Sequence, residues 1–414
     1  MLSEQLIEEV ILDQRNYLIK KDRGIDREID FERIISSKQI VVITGIRRSG
    51  KSTLLRQIAA RFKNFNYINF DDERLFNFDL SDFQRLMHLF KKESDSNIFL
   101  LDEIQNVAGW ERFIRRIHDE GNKIFITGSN AKLLSSELAT HLTGRYLKIE
   151  LYPFSFREFL TFSKINDKKR TSDNKAIILK AFDKYLAGGG FPDYITCNDI
   201  HYLQNIYEDI IFKDLIARFG IRNSKTFKTL AHYLFTNFTK EISYNSLKDI
   251  LQIKNVNTIK DYIDYLQQSY LIFECYKYDF SLKKQIIYNK KVYCIDNGLR
   301  KSISFSFSTN LGHYLENLIY LELRRRNAEV FFYKTAQNYE VDFLVKEKKI
   351  FIMQVCYSLD DAKTVAREKR ALIEAMKELK LKTSTIISYN QYDLFKEDGF
   401  QIEIIPAWNW LLNN

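Results

Sequence analysis

The run Gly45-Ile46-Arg47-Arg48-Ser49-Gly50-Lys51-Ser52, followed by Thr53, has the spacing G-x-x-x-x-G-K-[ST]. These residue types in this order suit the holding of a nucleoside triphosphate. Glycine lets backbone N–H groups wrap phosphates without side-chain obstruction, and a helix start behind the loop adds partial positive charge. In this reading Gly45 to Thr53 cradle ATP or ADP, Lys51 reaches the β- and γ-phosphates, and the Ser52 hydroxyl ligates Mg²⁺. Arg47 and Arg48 could touch phosphate, although a solvent-facing or interdomain role suits them better. A second run, Ile98-Phe99-Leu100-Leu101-Asp102-Glu103, is apolar and ends in two carboxylates. Asp102 would hold the Mg²⁺ and its water shell, and Glu103 would act as general base on the attacking water. A third run, 124–127, ends in Gly128-Ser129-Asn130. There Asn130 or Ser129 could bridge the γ-phosphate and the water, or cap the following helix. Arg145, in Leu142-Thr143-Gly144-Arg145-Tyr146, is the candidate arginine finger, within its own chain or toward a neighbour; the alternative is an ordinary strand-edge arginine.

The elements around these residues must bring them to one edge. Residues 39–44 form an apolar strand before the glycine loop, and 54–62 continue as a helix. Further buried-strand patterns cover 65–70, 97–101, 123–127 and 146–151, several separated by helical patterns. Continuous apolar strands alternating with helices predict an α/β fold with a parallel sheet covered on both faces. Before them, Leu6, Ile7, Val10, Ile11 and Tyr17 share one face of a helix over 4–20. Residues 163–175 are polar and aperiodic, a linker. A helix-rich stretch over 176–219 is interrupted by Gly188-Gly189-Gly190-Phe191-Pro192. Over 224–275 the pattern gives three short helices and a strand-like end. Two of them, 243–253 and 257–268, are joined by Lys254-Asn255-Val256 and look like a helix-turn-helix. Lys254, Asn255, Asn257 and Lys260 could meet DNA phosphates there, or form a solvated face. Beyond lie a helix over 315–326, strands over 330–334, 340–346 and 350–357, a charged helix over 361–379 and a strand over 384–389.

At 414 residues the chain has room for two or three domains. Its formal charge of +9 favours an anionic partner, DNA or RNA or an acidic membrane, or else reflects nothing more than abundant lysine. Four cysteines without a C-x-x-C pair suggest neither a disulfide framework nor a zinc site. The N-terminal residues lack a secretory pattern, and no apolar run reaches the roughly 18–20 residues of a membrane span. A cytoplasmic protein without a membrane partner is expected.

Residues 45–53, 99–105, 126–134 and 143–159, above all Leu151-Tyr152-Pro153-Phe154-Ser155-Phe156-Arg157-Glu158-Phe159, resemble a large bacterial and archaeal family of AAA-type ATPases. Residues 188–192, 291–298 and 339–345 are similar to that family's C-terminal region. The resemblance implies an ATPase core over 1–165, a helical connector over 175–222, a winged-helix-like domain over 223–290 and a nuclease-like domain over 291–414. The last resembles the PD-(D/E)XK fold of restriction endonucleases, whose carboxylates gather Mg²⁺ and whose lysine positions water. Asp342 matches the metal-binding Asp and Glu316 an accessory acid. Where (D/E)-x-K is expected, the chain reads Gln354-Val355-Cys356. Gln354 could still offer a neutral oxygen, and Lys363 or Arg367 could stand in for the lysine; a nuclease fold retired to binding or assembly fits better. The expected function is a Mg²⁺-dependent ATPase acting as a conformational switch on or near nucleic acid. The alternatives are a scaffolding ATPase directed at a protein or a second copy, and an ATP-gated metal nuclease.

Overall fold

The computed structural model describes residues 2–129, 144–168, 171–304 and 311–413, and the chain divides into two compact units. The first comprises Met1–Tyr152 with Gln268–Tyr270. It contains α1 (Glu4–Lys20), α2 (Phe31–Ser36), β1 (Ile40–Thr44), α3 (Lys51–Ala59), β2 (Asn66–Asn69), α4 (Asp82–Glu93), β3 (Ile98–Asp102), α5 (Trp110–Asp119), β4 (Lys123–Gly128) and β5 (Tyr146–Glu150). The five strands are all parallel, in the order β2-β3-β4-β1-β5. Side chains alternate between the two faces, as a strand's period of two demands. Val42, Leu101 and Ile126 pack under α1, α4 and α5, where Phe83 and Phe113 stack at 3.9 Å. Val41, Ile43, Leu100 and Phe125 pack against Leu54, Leu55 and Ile58 of α3.

The register sets the site. Ile43 lies opposite Thr127, Leu101 opposite Ile126 and Asn69 opposite Asp102. The C-terminal ends of β1, β3 and β4 therefore share one edge, with β4 between the other two.

The second unit comprises Pro153–Gln267 and Leu271–Asn414. Its helical part runs through α6 (Phe156–Phe162), α7 (Ser172–Gly188), α8 (Pro192–Cys197), α9 (Ile200–Asp209), a π-helical stretch (Ile210–Ala217) and α10 (Ser224–Thr236). Then come β6 (Glu241–Ile242), α11 (Tyr244–Ile250), α12 (Val256–Gln268), β7 (Ile272–Lys277), α13 (Leu282–Ile287), β8 (Lys290–Cys294), α14 (Asn297–Ile303) and α15 (Leu311–Arg325). The chain ends with β9 (Glu329–Lys334), β10 (Glu340–Lys346), β11 (Ile350–Cys356), α16 (Ala362–Leu379), β12 (Thr383–Ser388), β13 (Asp393–Glu397), β14 (Phe400–Pro406) and α17 (Ala407–Asn413). Nine strands form one mixed sheet, ordered β13-β14-β12-β11-β10-β9-β7-β8-β6.

The sequence-based boundary at 290/291 falls inside β8, because β7 pairs with both β8 and β9. The polar stretch read as a linker over 163–175 gives way to α7 at Ser172, since Thr171 caps that helix by accepting from Asn174 N. Among the described residues, no helix is long and apolar enough to cross a membrane.

Asp296 caps α14 and is buried, its carboxylate accepting from Gly190 N at 2.7 Å and Leu299 N at 2.9 Å. Burial outweighs these bonds and lifts its carboxyl to about 6. A carboxyl raised in the folded state binds its proton more tightly there than in the unfolded chain. Its charge therefore costs stability at neutral pH, a cost relieved as pH falls through 6 toward the unfolded value. In urea unfolding, wild type should improve relative to Asp296→Asn by about 2 kcal/mol between about pH 7 and about pH 4.5. A constant gap would mean that this carboxyl titrates as it does in the unfolded chain.

Candidate functional site

The glycine loop joins β1 to α3 across residues 45–50. Gly45 has φ 151°, and a Cβ there would lie 2.1 Å from the Leu151 carbonyl oxygen, so only glycine fits. Gly50 has φ 97° and directly precedes α3. Arg48 also has positive φ and is exposed, whereas Arg47 is half-buried. Ile46 is buried beneath the loop, and Ser52 and Thr53 lie half-buried in the first turn of α3. Lys51 is 5% exposed; its Nζ donates to the carbonyl oxygens of Gly45 at 3.2 Å and Ile46 at 3.3 Å and stands 3.8 Å from Glu103 Oε1. Among the described residues, the Ser49 hydroxyl is buried without a hydrogen-bond partner.

Asp102 is fully buried at the end of β3. Its carboxylate accepts from the Ser52 and Thr127 hydroxyls, and from the Tyr67 hydroxyl at 3.4 Å. Burial, and then the neighbouring charge of Glu103, push its carboxyl up to about 6 against those hydroxyls and Lys51. Thr127 Oγ1 in turn accepts from Glu103 N at 2.9 Å. One hydroxyl thus ties both carboxylate residues to β4. Glu103 has φ 50°, a costly left-handed conformation for a residue with a side chain, and its second oxygen accepts from the Gln105 amide. A cavity of about 410 Å³ adjoins the group, lined by Ser52, Tyr67 and Asp102 and by Asp13, Gln14 and Tyr17 of α1.

The structure gathers Lys51, Ser52, Asp102 and Glu103 as the sequence predicts. Asn130 lies outside the described residues. Arg145 needs correction as a finger within its own chain. Its carbonyl oxygen accepts from Ile40 N, at the start of β1, and its half-exposed side chain pairs with Asp119 at the edge opposite the glycine loop.

Three residues were missed by the sequence reading. Thr127 was counted only as strand, Gln105 follows Glu103 by two positions, and Arg27 lies far upstream of the loop. Arg27 is buried and donates to Ser49 O at 2.8 Å and Tyr152 O at 2.7 Å, bracing the loop from below. Only the position of Thr127, last in the run 124–127, carried a signal.

In the second unit, Glu316, Asp342 and Gln354 also come together. Asp342 sits where the pairing of β9 and β10 shifts register between Val341 and Leu344, a bulge that re-aims the strand. Asp342 N donates to Gln354 Oε1 at 3.1 Å, and Val355 N donates to Asp342 Oδ2 at 3.0 Å. Lys363 is not among the residues around this cavity of about 410 Å³, whereas Arg367 is, paired with Glu368. The lysine present comes from elsewhere: Lys291 of β8 lies 3.0 Å from Glu316, 2.7 Å from Glu340 and 3.3 Å from Asp342. Burial would lower its pKa, but those carboxylates outweigh burial and raise it well above the usual lysine value. Burial, then Glu316, pushes Asp342 up to about 7, and burial pushes the Cys356 thiol up to about 11.

Residues 37–160 match an AAA domain, and 179–310 and 311–410 match two domains of unknown function. An uncharacterized protein of Methanocaldococcus jannaschii is 40% identical over 433 residues, covering 98% of this chain and 95% of that protein. An uncharacterized protein of Haemophilus influenzae is 32% identical over 409 residues, covering 94% and 98%. The chain belongs to a family of AAA-type P-loop ATPases with additional C-terminal domains of unknown function. Among solved structures, the Thermotoga maritima RuvB Holliday junction branch migration motor is similar at 15% identity and a TM-score of 0.30, covering 62% of this chain and 93% of that one.

Thr127→Val keeps the side-chain volume but removes the hydroxyl shared by Asp102 and Glu103 N. It should cost about 1–3 kcal/mol in urea unfolding and lower ATP turnover at least roughly tenfold, while Thr127→Ser retains both. Equal behaviour of the two variants would show that the hydroxyl does not position the carboxylates.

Proposed function

We propose that the chain is a Mg²⁺-dependent ATPase whose nucleotide cycle switches the conformation of a nucleic-acid-binding second unit. The observation that carries the ATPase reading is the Lys51–Glu103 pair, 3.8 Å apart beside the Asp102–Ser52 hydrogen bond on one sheet edge. The residues suit ATP and Mg²⁺: the partnerless Ser49 hydroxyl and the glycine backbone offer donors to phosphate, and Ser52 with Asp102 offers oxygen to a hard cation. Bound Mg²⁺ supplies positive charge to the β- and γ-phosphates.

The rest falls to this chain's own groups. The loop N–H groups and Lys51 bind and orient the phosphates. Lys51 also holds the charge that develops on them. Glu103 takes the proton of the attacking water, aimed by the Thr127 contact to its backbone and by Gln105. Asn130 orients that water in this reading, and Arg145 acts on a neighbouring copy.

Nucleic acid as the target is supported by the middle of the second unit. There β6 and β7 both pair antiparallel with β8, and α11 and α12 lie between β6 and β7 in sequence, a winged-helix order. Lys254, Asn255, Asn257 and Lys260 are exposed around the start of α12, in a chain of net charge +9. A protein partner is the second reading, favoured by Phe280, Leu282, Ile286 and Ile287, which are 84%, 69%, 59% and 68% exposed on and beside α13.

ATP hydrolysis by wild type, Lys51→Ala and Glu103→Gln, with and without DNA or RNA, tests both parts. Both variants should fall roughly 100-fold or more, and nucleic acid should stimulate wild type with an affinity that drops steeply as salt rises. Full turnover by either variant overturns the assigned chemistry. Turnover indifferent to DNA and RNA moves the target to a protein.

A further inference from the structure

We propose that the ammonium of Lys291 is a built-in replacement for a divalent cation, and that its removal converts the surrounding carboxylates into a metal site. The inference is independent of the ATPase reading. An ammonium has three N–H donors. Lys291 meets three carboxylates, Glu340, Glu316 and Asp342, at 2.7, 3.0 and 3.3 Å, so each donor has an anionic acceptor. The Lys291, Glu316 and Asp342 side chains are only 4%, 10% and 10% exposed. Glu340 is 36% exposed, but Glu316 and Asp342 are buried, and two adjacent buried carboxylates without a countercharge are strongly unfavourable, which favours a cation between them. A divalent ion would need oxygen ligands at about 2.0–2.6 Å around the same point, and the ammonium would have to leave.

The ammonium is held there by the fold. Lys291 lies opposite Cys275 of β7 and Glu241 of β6. Three residues on, Cys294 exchanges two hydrogen bonds with the buried Asn317 side chain, at 2.8 and 3.0 Å, which fixes β8 against α15 beside Glu316. Tyr293 donates to Glu316 Oε1 at 2.8 Å, fixing the rotamer of that carboxylate. The oxygen that Gln354 could have given a metal already accepts from Asp342 N. The departures from (D/E)-x-K and the central lysine thus agree: the cation at this centre is supplied by the chain itself.

The test is Mn²⁺ binding to the full chain without nucleotide, read from the free-ion EPR signal, for wild type, Lys291→Met, Lys291→Arg and Lys291→Met/Asp342→Asn. Binding at Ser52 and Asp102 is common to all four and subtracts. Lys291→Met should gain one site at least tenfold tighter than anything wild type shows. Lys291→Arg should not gain it, and the double variant should lose it. If Lys291→Met is too unstable to titrate, millimolar Mn²⁺ should restore its thermal midpoint but not that of the double variant. A wild-type site, beyond that at Ser52 and Asp102, that the double variant lacks overturns the proposal, because the lysine would then neighbour a metal instead of replacing one. A folded Lys291→Met that binds no more Mn²⁺ than wild type, or an unstable one that Mn²⁺ does not rescue, overturns it equally.

Discussion

A buried carboxylate stands at the centre of the first unit. Asp102 ends a strand buried on both faces, where an unsolvated charge is expensive, and its proton affinity rises accordingly. The hydroxyls of Ser52, Thr127 and Tyr67 hold it, and the nearby charge of Lys51 favours its ionised form. The Thr127 and Ser52 contacts depend on β4 running between β1 and β3, so that Thr127 comes up one strand away from Asp102, while β1 delivers the glycine loop on the far side. A pairing slipped by one residue would turn Thr127 toward the opposite face and leave the carboxylate without that donor. The apolar packing of α3, α4 and α5 therefore acts on the chemistry through register.

The second unit solves the same problem differently. Its carboxylates are satisfied by a full charge carried on β8, placed against α15 by the side chain of Asn317. Here the bulge in β10 matters more than regular pairing, because it lets the Asp342 carboxylate accept from Val355 N while its own N–H meets Gln354. Polar side chains take over part of the backbone pairing where the charged groups meet.

What the sequence revealed follows from how local each signal is. The glycine loop, the apolar run ending in Asp102 and Glu103, and the alternating strands are written in consecutive residues, and their elements were found within a few positions. Glu316, Asp342 and Gln354 were legible through resemblance, and they do converge. Lys291 was not, because its strand is five residues long, follows a polar turn, and acts on partners from 25 to 51 residues away. Arg27 and Thr127 stayed hidden for a related reason: a buried arginine that braces a carbonyl, or a threonine that ends a strand, looks in sequence like any other. The division at 290/291 failed to anticipate β8 because composition does not change where one sheet is continuous.

Lys51 has more than one claim on its ammonium. The groups within its reach are two loop carbonyls and the carboxylate proposed as the base, so the side chain that would grip a terminal phosphate also restrains Glu103. In the proposed mechanism, a nucleotide that draws Lys51 away releases the base in the same movement, and one too short to do so leaves the base ion-paired. Discrimination between triphosphate and diphosphate can then be exercised at the moment of proton transfer, with no need for a pocket that measures length.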